Sequence, residues 1–410
     1  MHLTFIRQAA CLVASAALLA IHAAPAAAAD ATAAAAGSAK LAWDLVRASG
    51  AGDAIVSPVS VWEALAMTHA GARGETAAEI AAVLGMPDDR EQIAAAAAEL
   101  REALVAAKGE KIQLDVANRI WVQQGKQLEP GFTGLLEAKY DAPAGLVDFA
   151  GSPEDARSQI NAWVGEHTAE KIPELLKSGS ITSLTRLVLT NAIFMKAPWA
   201  KPFEKSATRP EAFMLAGGDK AEVPFMHARA QLVAGKTGAG DTAVTVCEIP
   251  YAGGQLAMVL VVPAKADGLA AVLAGLEGGW RTRWQEAGDL RSREVILALP
   301  KWTARKPLSL NAALAALGMK QAFVAGAADL SGMDGGRDLF VSEVVHEGFV
   351  EVSEEGTEAA AATGVAVAAR SMAVRPEEPL EVKADRPFAW AVVERHSGAV
   401  LFAGTVTDPR

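Results

Sequence analysis

Side chains that could do chemistry together occur several times in this sequence, and most of the patterns are incomplete. Gly235-Lys236-Thr237 has the ending of a phosphate-binding loop, in which backbone amides cradle a phosphate and the lysine neutralises it, but Ala230 stands where the upstream glycine is required. His346-Glu347 opens like a zinc-peptidase motif, yet no second histidine follows at the required spacing. There is no Gly-x-Ser-x-Gly nucleophile elbow, and past residue 30 the histidines His69, His167, His227, His346 and His396 are scattered without ligand spacing. The patterns point away from nucleotide hydrolysis, metallopeptidase and serine-hydrolase chemistry, so no metal and no cofactor is expected.

A different kind of pattern lies near the C-terminus. From Val350 the chain reads Val-Glu-Val-Ser-Glu-Glu-Gly-Thr-Glu, then Ala359 to Ala369 without a charge, then Arg370-Ser371, with Pro376, Glu377, Glu378 and Pro379 beyond. Alanine favours helix, but Gly356, Thr363, Gly364, Val365 and Val367 do not, and no apolar stripe recurs at helical spacing. Read with a period of two, Thr357, Ala359, Ala361, Thr363, Val365, Val367 and Ala369 form one uncharged face of small or β-branched side chains. Such a segment tolerates water and can also be buried in a sheet, because it loses little rotamer entropy and buries few polar groups.

The elements around it mix helix and strand. Ser57-Pro58 opens a helix with Val61, Leu65 and Thr68 on one face, and Ser152-Pro153-Glu154-Asp155 opens another whose stripe is Ile160, Trp163, Val164 and His167. Leu187 to Met195 is an apolar strand, Val244–Ile249 and Gln255–Val262 form a hairpin, and Phe388–Glu394 with Ala399–Val406 form a second. No linker, charge block or repeat interrupts the chain past residue 40. The expected architecture is a single α+β domain with large antiparallel sheets.

The string Glu354-Glu355-Gly356-Thr357-Glu358-Ala359-Ala360-Ala361-Ala362-Thr363 resembles the mobile hinge of the serpins. Ser57-Pro58-Val59-Ser60 before Gly71-Ala72-Arg73-Gly74-Glu75-Thr76, Asn191-Ala192-Ile193-Phe194 with Lys196 and Trp199, and Asp385-Arg386-Pro387-Phe388 before Leu401-Phe402-Ala403-Gly404 resemble the same family in the same order. The resemblance implies three mostly antiparallel sheets, about nine helices and an exposed reactive loop at about 354–379. It implies a suicide inhibitor rather than an enzyme: a serine protease attacks the loop, and the hinge then inserts into the main sheet before the acyl-enzyme hydrolyses. Counted inclusively from Glu354, the family's seventeenth residue is Arg370, which places the bait bond at Arg370-Ser371. An arginine there suits a trypsin-like pocket with a carboxylate at its base. Arg375 is the rival bait, disfavoured by Pro376. The resemblance also assigns Ser57, Ser60, Asn191 and His346 to a polar cluster beneath the opening sheet, and Trp199 to the point where the loop enters. Met195 stands where an aromatic is usual, and Ala197 replaces a common glycine. A non-inhibitory binding or carrier protein of the same fold is the alternative.

Composition limits partners and compartment. Of 410 residues, 51% are hydrophobic and 21% charged, and 38 basic against 48 acidic side chains give a formal charge of −10. That balance, without a basic run, argues against binding through phosphate neutralisation, so no nucleic acid is expected, and because Asp88 to Lys111 mixes acids with bases no heparin-type cofactor is expected either. Arg7, an uncharged stretch to Ala29 and the small residues Ala27-Ala28-Ala29 before Asp30 have the form of a signal peptide over 1–29, with a membrane anchor as the competing reading. Export to the periplasm or the extracellular space would leave a 30–410 domain, acting as a monomer, in which Cys247 is the one remaining cysteine and forms no internal disulfide.

Overall fold

The computed structural model describes residues 26–50, 52–277, 280, 284, 285, 290–357 and 378–410. The expected leader up to residue 25, the hinge from Glu358 onward, the Arg370-Ser371 bond and Arg375 lie outside the described residues. Nine α-helices occur among those described: α1 (Ala26–Ala48), α2 (Pro58–Gly71), α3 (Gly74–Leu84), α4 (Arg90–Lys108), α5 (Pro130–Leu135), α6 (Pro153–His167), α7 (Leu269–Gly275), α8 (Asn311–Ala316) and α9 (Ser331–Asp334). None is long and apolar enough to cross a membrane.

Helix α2 begins where Ser57 accepts a hydrogen bond from the backbone of Ser60 and Pro58 takes the first position, as the sequence predicts. It is buried on every side rather than along one stripe, because it runs between the sheets and the other helices. Helix α6 likewise starts at Pro153, although Ser152 makes no side-chain cap.

The strands in chain order are β1 (Ala54–Val56), β2 (Gln113–Gln123), β3 (Gly145–Val147), β4 (Leu187–Pro198), β5 (Arg209–Met214), β6 (Lys220–Thr237), β7 (Val244–Pro250), β8 (Leu256–Pro263), β9 (Arg291–Pro300), β10 (Trp302–Ser309), β11 (Glu343–Val352), β12 (Gly356–Thr357), β13 (Leu380–Lys383), β14 (Phe388–Glu394) and β15 (Val400–Val406). Both expected hairpins are present, as β7 with β8 and β14 with β15. A nine-stranded sheet runs β1-β15-β14-β8-β7-β6-β9-β13 with β5 on β6, and a six-stranded sheet runs β10-β11-β12-β4-β2-β3. The larger sheet is continuous because β6, 18 residues long, pairs with β9 and β5 along its first part and with β7 along its end. Pairing is mostly antiparallel, with parallel contacts where β4 meets β11, β2 meets β3 and β9 meets β13.

Alternation along β4 and β11 assigns each side chain a face. Val188, Ala192 and Val345 join Trp121, Phe149, Ile160 and Val164 in a small core beneath α6. Asn191 and His346 point the other way, towards α2 and the main core of Trp43, Trp62, Trp390 and Phe402.

Candidate functional site

Strands β4 and β11 lie side by side in parallel from Val188 opposite Glu343 to Phe194 opposite Phe349. Beyond that they part, and the two residues of β12 occupy the fork: Thr357 pairs antiparallel with Val352 on one side and with Ala197 on the other. The expectation of a loop exposed from about residue 354 does not hold at its first residues. Thr357 is fully buried, and its hydroxyl lies 2.7 Å from that of Tyr251. Gly356 is required here, because its φ of +152° is a glycine conformation and a Cβ would fall 2.1 Å from the Ala197 carbonyl oxygen.

Around the fork the backbone is tied down closely. The Trp199 indole N–H donates to the Ser353 carbonyl at 2.9 Å, its backbone N–H donates to Glu355, and the Phe203 N–H donates to Glu354. The Trp199 ring stacks on Tyr251 with centroids 4.6 Å apart. Glu354 faces Lys301 at 2.9 Å and accepts from the Thr208 hydroxyl. Burial works against its charge, but these donors outweigh burial and hold the carboxyl below the ordinary range. Glu355 is held down chiefly by its hydrogen bond from Lys205. Tyr251→Phe keeps the ring stack and removes one neutral hydrogen bond of about 1 kcal/mol. The expected result is about fivefold faster cleavage at Glu355 by a glutamate-specific protease under native conditions, and an unchanged rate would show that the hydroxyl pair does not seat the hinge.

Below the fork, the four residues assigned to a polar cluster do come together. The backbone N–H of Ser57 donates to His346 Nε2 at 2.9 Å, which leaves His346 Nδ1 to donate to Asn191 Oδ1. Asn191 Nδ2 reaches both Ser60 Oγ and Asn118 Oδ1, and Ser60 Oγ donates to Asn118 Oδ1 at 2.7 Å. Burial lowers the His346 pKa to about 4, so the ring is neutral at physiological pH. Because Asn191 belongs to β4 and His346 to β11, their hydrogen bond spans the seam that an inserting strand would open. The arrangement holds two strands with a satisfied polar contact rather than interlocked apolar side chains, and such a contact can be exchanged for another.

Sequence reasoning missed Asn118, Tyr251, Lys301 and Glu63. An asparagine within the strand Asp115-Val116-Ala117-Asn118 was a readable signal of a buried amide, whereas nothing local marks the other three. Among the described residues Ser57 and Ser60 serve as cap and bridge, and Cys247 is buried with its thiol pKa pushed up by burial. Among the described residues no group of His, Cys, Asp and Glu side chains is disposed to hold a metal.

Comparison with known proteins bears on the same region. The family model described as Serpin (serine protease inhibitor) matches residues 34–409. The leukocyte elastase inhibitor of Bos taurus is 39% identical over 363 residues, covering 88% of this chain and 94% of that protein. Among solved structures, Serpin48 of Tenebrio molitor is 30% identical with a TM-score of 0.78, covering 95% of this chain and 100% of the other. The thermophilic serpin tengpin in its native state is 27% identical with a TM-score of 0.79, covering 91% of this chain and 93% of the other.

Proposed function

Since the chain belongs to the serpin family of serine protease inhibitors, whose inhibitory members form covalent complexes with serine proteases, we propose that it is an exported, loop-inserting inhibitor of trypsin-like proteases with Arg370-Ser371 as bait bond. The observation that carries this reading is Thr357 seated between β4 and β11, at the head of a seam still closed by the seven register pairs below it. A protease that acylates itself on the loop releases the hinge to continue along this track, and the added strand gains ladder hydrogen bonds with both neighbours, successive residues pairing alternately with β4 and β11. The uncharged face from Thr357 to Ala369 suits that movement. Arginine as the residue before the bond supplies a guanidinium for the carboxylate of a trypsin-like pocket.

The names of its relatives favour a second reading, in which an elastase-type protease with a small pocket cuts the same loop after one of its alanines or valines. Mixing the protein with trypsin and separating the products on a denaturing gel tests the proposal. A band that withstands denaturation at the summed mass, with a C-terminal peptide beginning at Ser371, is the expected result. Cleavage without an adduct would overturn the inhibitory reading, and an adduct formed only with elastase would overturn the trypsin-like one.

A further inference from the structure

The polar cluster beneath the seam does not end at Asn118. Asn118 Nδ2 donates to the Ser60 carbonyl at 3.2 Å and to Glu63 Oε2 at 2.8 Å, so the cluster runs on into a buried carboxylate on α2. These two acceptors fix which way the amide faces: a flipped Asn118 would set its oxygen against a carbonyl and a carboxylate, and its NH2 against the Asn191 amide. From α4, Arg101 Nε reaches Glu63 Oε1 at 3.3 Å, and its Nη2 lies 3.6 Å from Asp141 Oδ2. From the π-helical stretch Leu136–Tyr140 that continues α5, the Tyr140 hydroxyl is buried without a hydrogen-bond partner and its pKa is raised by burial and by the nearby Glu63 charge. We propose that Glu63 is a positioning residue for sheet opening: its carboxylate fixes the Asn118 amide beneath the seam and forms the acid-responsive end of a hydrogen-bond chain whose other end is His346.

The two ends respond to pH in opposite senses. Burial raises the Glu63 pKa from 4.5 to about 7, against the lowering effect of Arg101 and Asn118. Between these values the native protein holds a proton that the unfolded chain has lost, so this contribution to stability is full below pH 4.5 and fades as pH rises through about 7. His346 is lowered from 6.5 to about 4, so its contribution is full above pH 6.5 and fades as pH falls towards 4. In the overlap, each changes the folding equilibrium by about tenfold per pH unit with opposite sign, and the chain from Glu63 to His346 keeps its stability level on acidification. Without Glu63, acid would loosen the contact across the seam unopposed.

The inference rests on the loop-insertion reading for its meaning, but its test needs no protease. Urea unfolding of the uncleaved full chain is followed from pH 4.5 to 8 for the wild type, Glu63→Gln, Glu63→Met and Arg101→Gln. Glu63→Gln keeps an acceptor for Asn118 and cannot titrate, so its unfolding constant relative to wild type should change by about tenfold per pH unit between 4.5 and 7, with the variant gaining as pH rises. Glu63→Met, of similar length and without an acceptor, should be less stable than Glu63→Gln at every pH. Arg101→Gln leaves Glu63 ionisable without its cation and should move the wild-type transition to higher pH. Parallel profiles for wild type and Glu63→Gln would overturn the acid response, and equal stability of the Gln and Met variants would overturn the positioning of Asn118. Failure to trap trypsin alongside divergent profiles would sink the inhibitor reading alone.

Discussion

Thr357→Arg is expected to turn an inhibitor that traps its protease into a substrate that is cut and released. Thr357 is fully buried between two strands, and its hydroxyl meets Tyr251 beside the Trp199 ring. A guanidinium there would be buried against Tyr251 and Trp199, and an unpaired buried charge costs about 3–5 kcal/mol. Before cleavage the variant avoids the cost by withdrawing residue 357 from the fork, so the fold survives. Insertion has no such escape, because the first strand residue must pass through this position. Each 1.4 kcal/mol of added barrier slows the step about tenfold, while deacylation of the protease is unaffected. The yield of denaturation-resistant adduct with trypsin should fall by more than tenfold, with cleaved protein appearing in its place. Adduct at the wild-type yield would mean that the hinge does not enter through the fork.

The second large effect is on recognition rather than movement. Arg370→Leu removes the group that pairs with a buried carboxylate, and a site built for a charged hydrogen-bonding partner rejects an apolar replacement by about 10⁴-fold. The association rate with trypsin should drop on that order, while a protease with an apolar pocket should still be trapped, because the hinge is untouched. Unchanged trypsin inhibition, with peptides ending at Arg375, would move the bait bond and break the count from Glu354. Paired with Thr357→Arg, this variant separates the two halves of the mechanism: one loses the target and keeps the trap, the other keeps the target and loses the trap.

Strand and helix patterns at Pro58, Pro153, Val244–Ile249 and Phe388–Glu394 were legible because they depend on spacing within about ten residues. The cluster of Ser57, Ser60, Asn191 and His346 was legible only through family resemblance, since its hydrogen bonds join positions 155 and 289 residues apart. Glu63 was hidden for a further reason. In sequence it is one acidic residue in a helix, and only the packing of α4, β2 and Tyr140 around it makes its carboxylate a buried one.

What the sequence by itself determined is an uncharged face from Thr357 to Ala369 followed by an arginine. A segment that must be compatible with both water and a sheet interior needs small uncharged side chains whatever surrounds it, and an arginine carries its charge with it. What only the tertiary structure decided is that Thr357 sits in the fork of β4 and β11, held by Tyr251, with Asn118 and Glu63 extending the polar chain below. Those properties arise from burial and from partners brought together by the sheets, and neither is a property of any residue or of its neighbours along the chain.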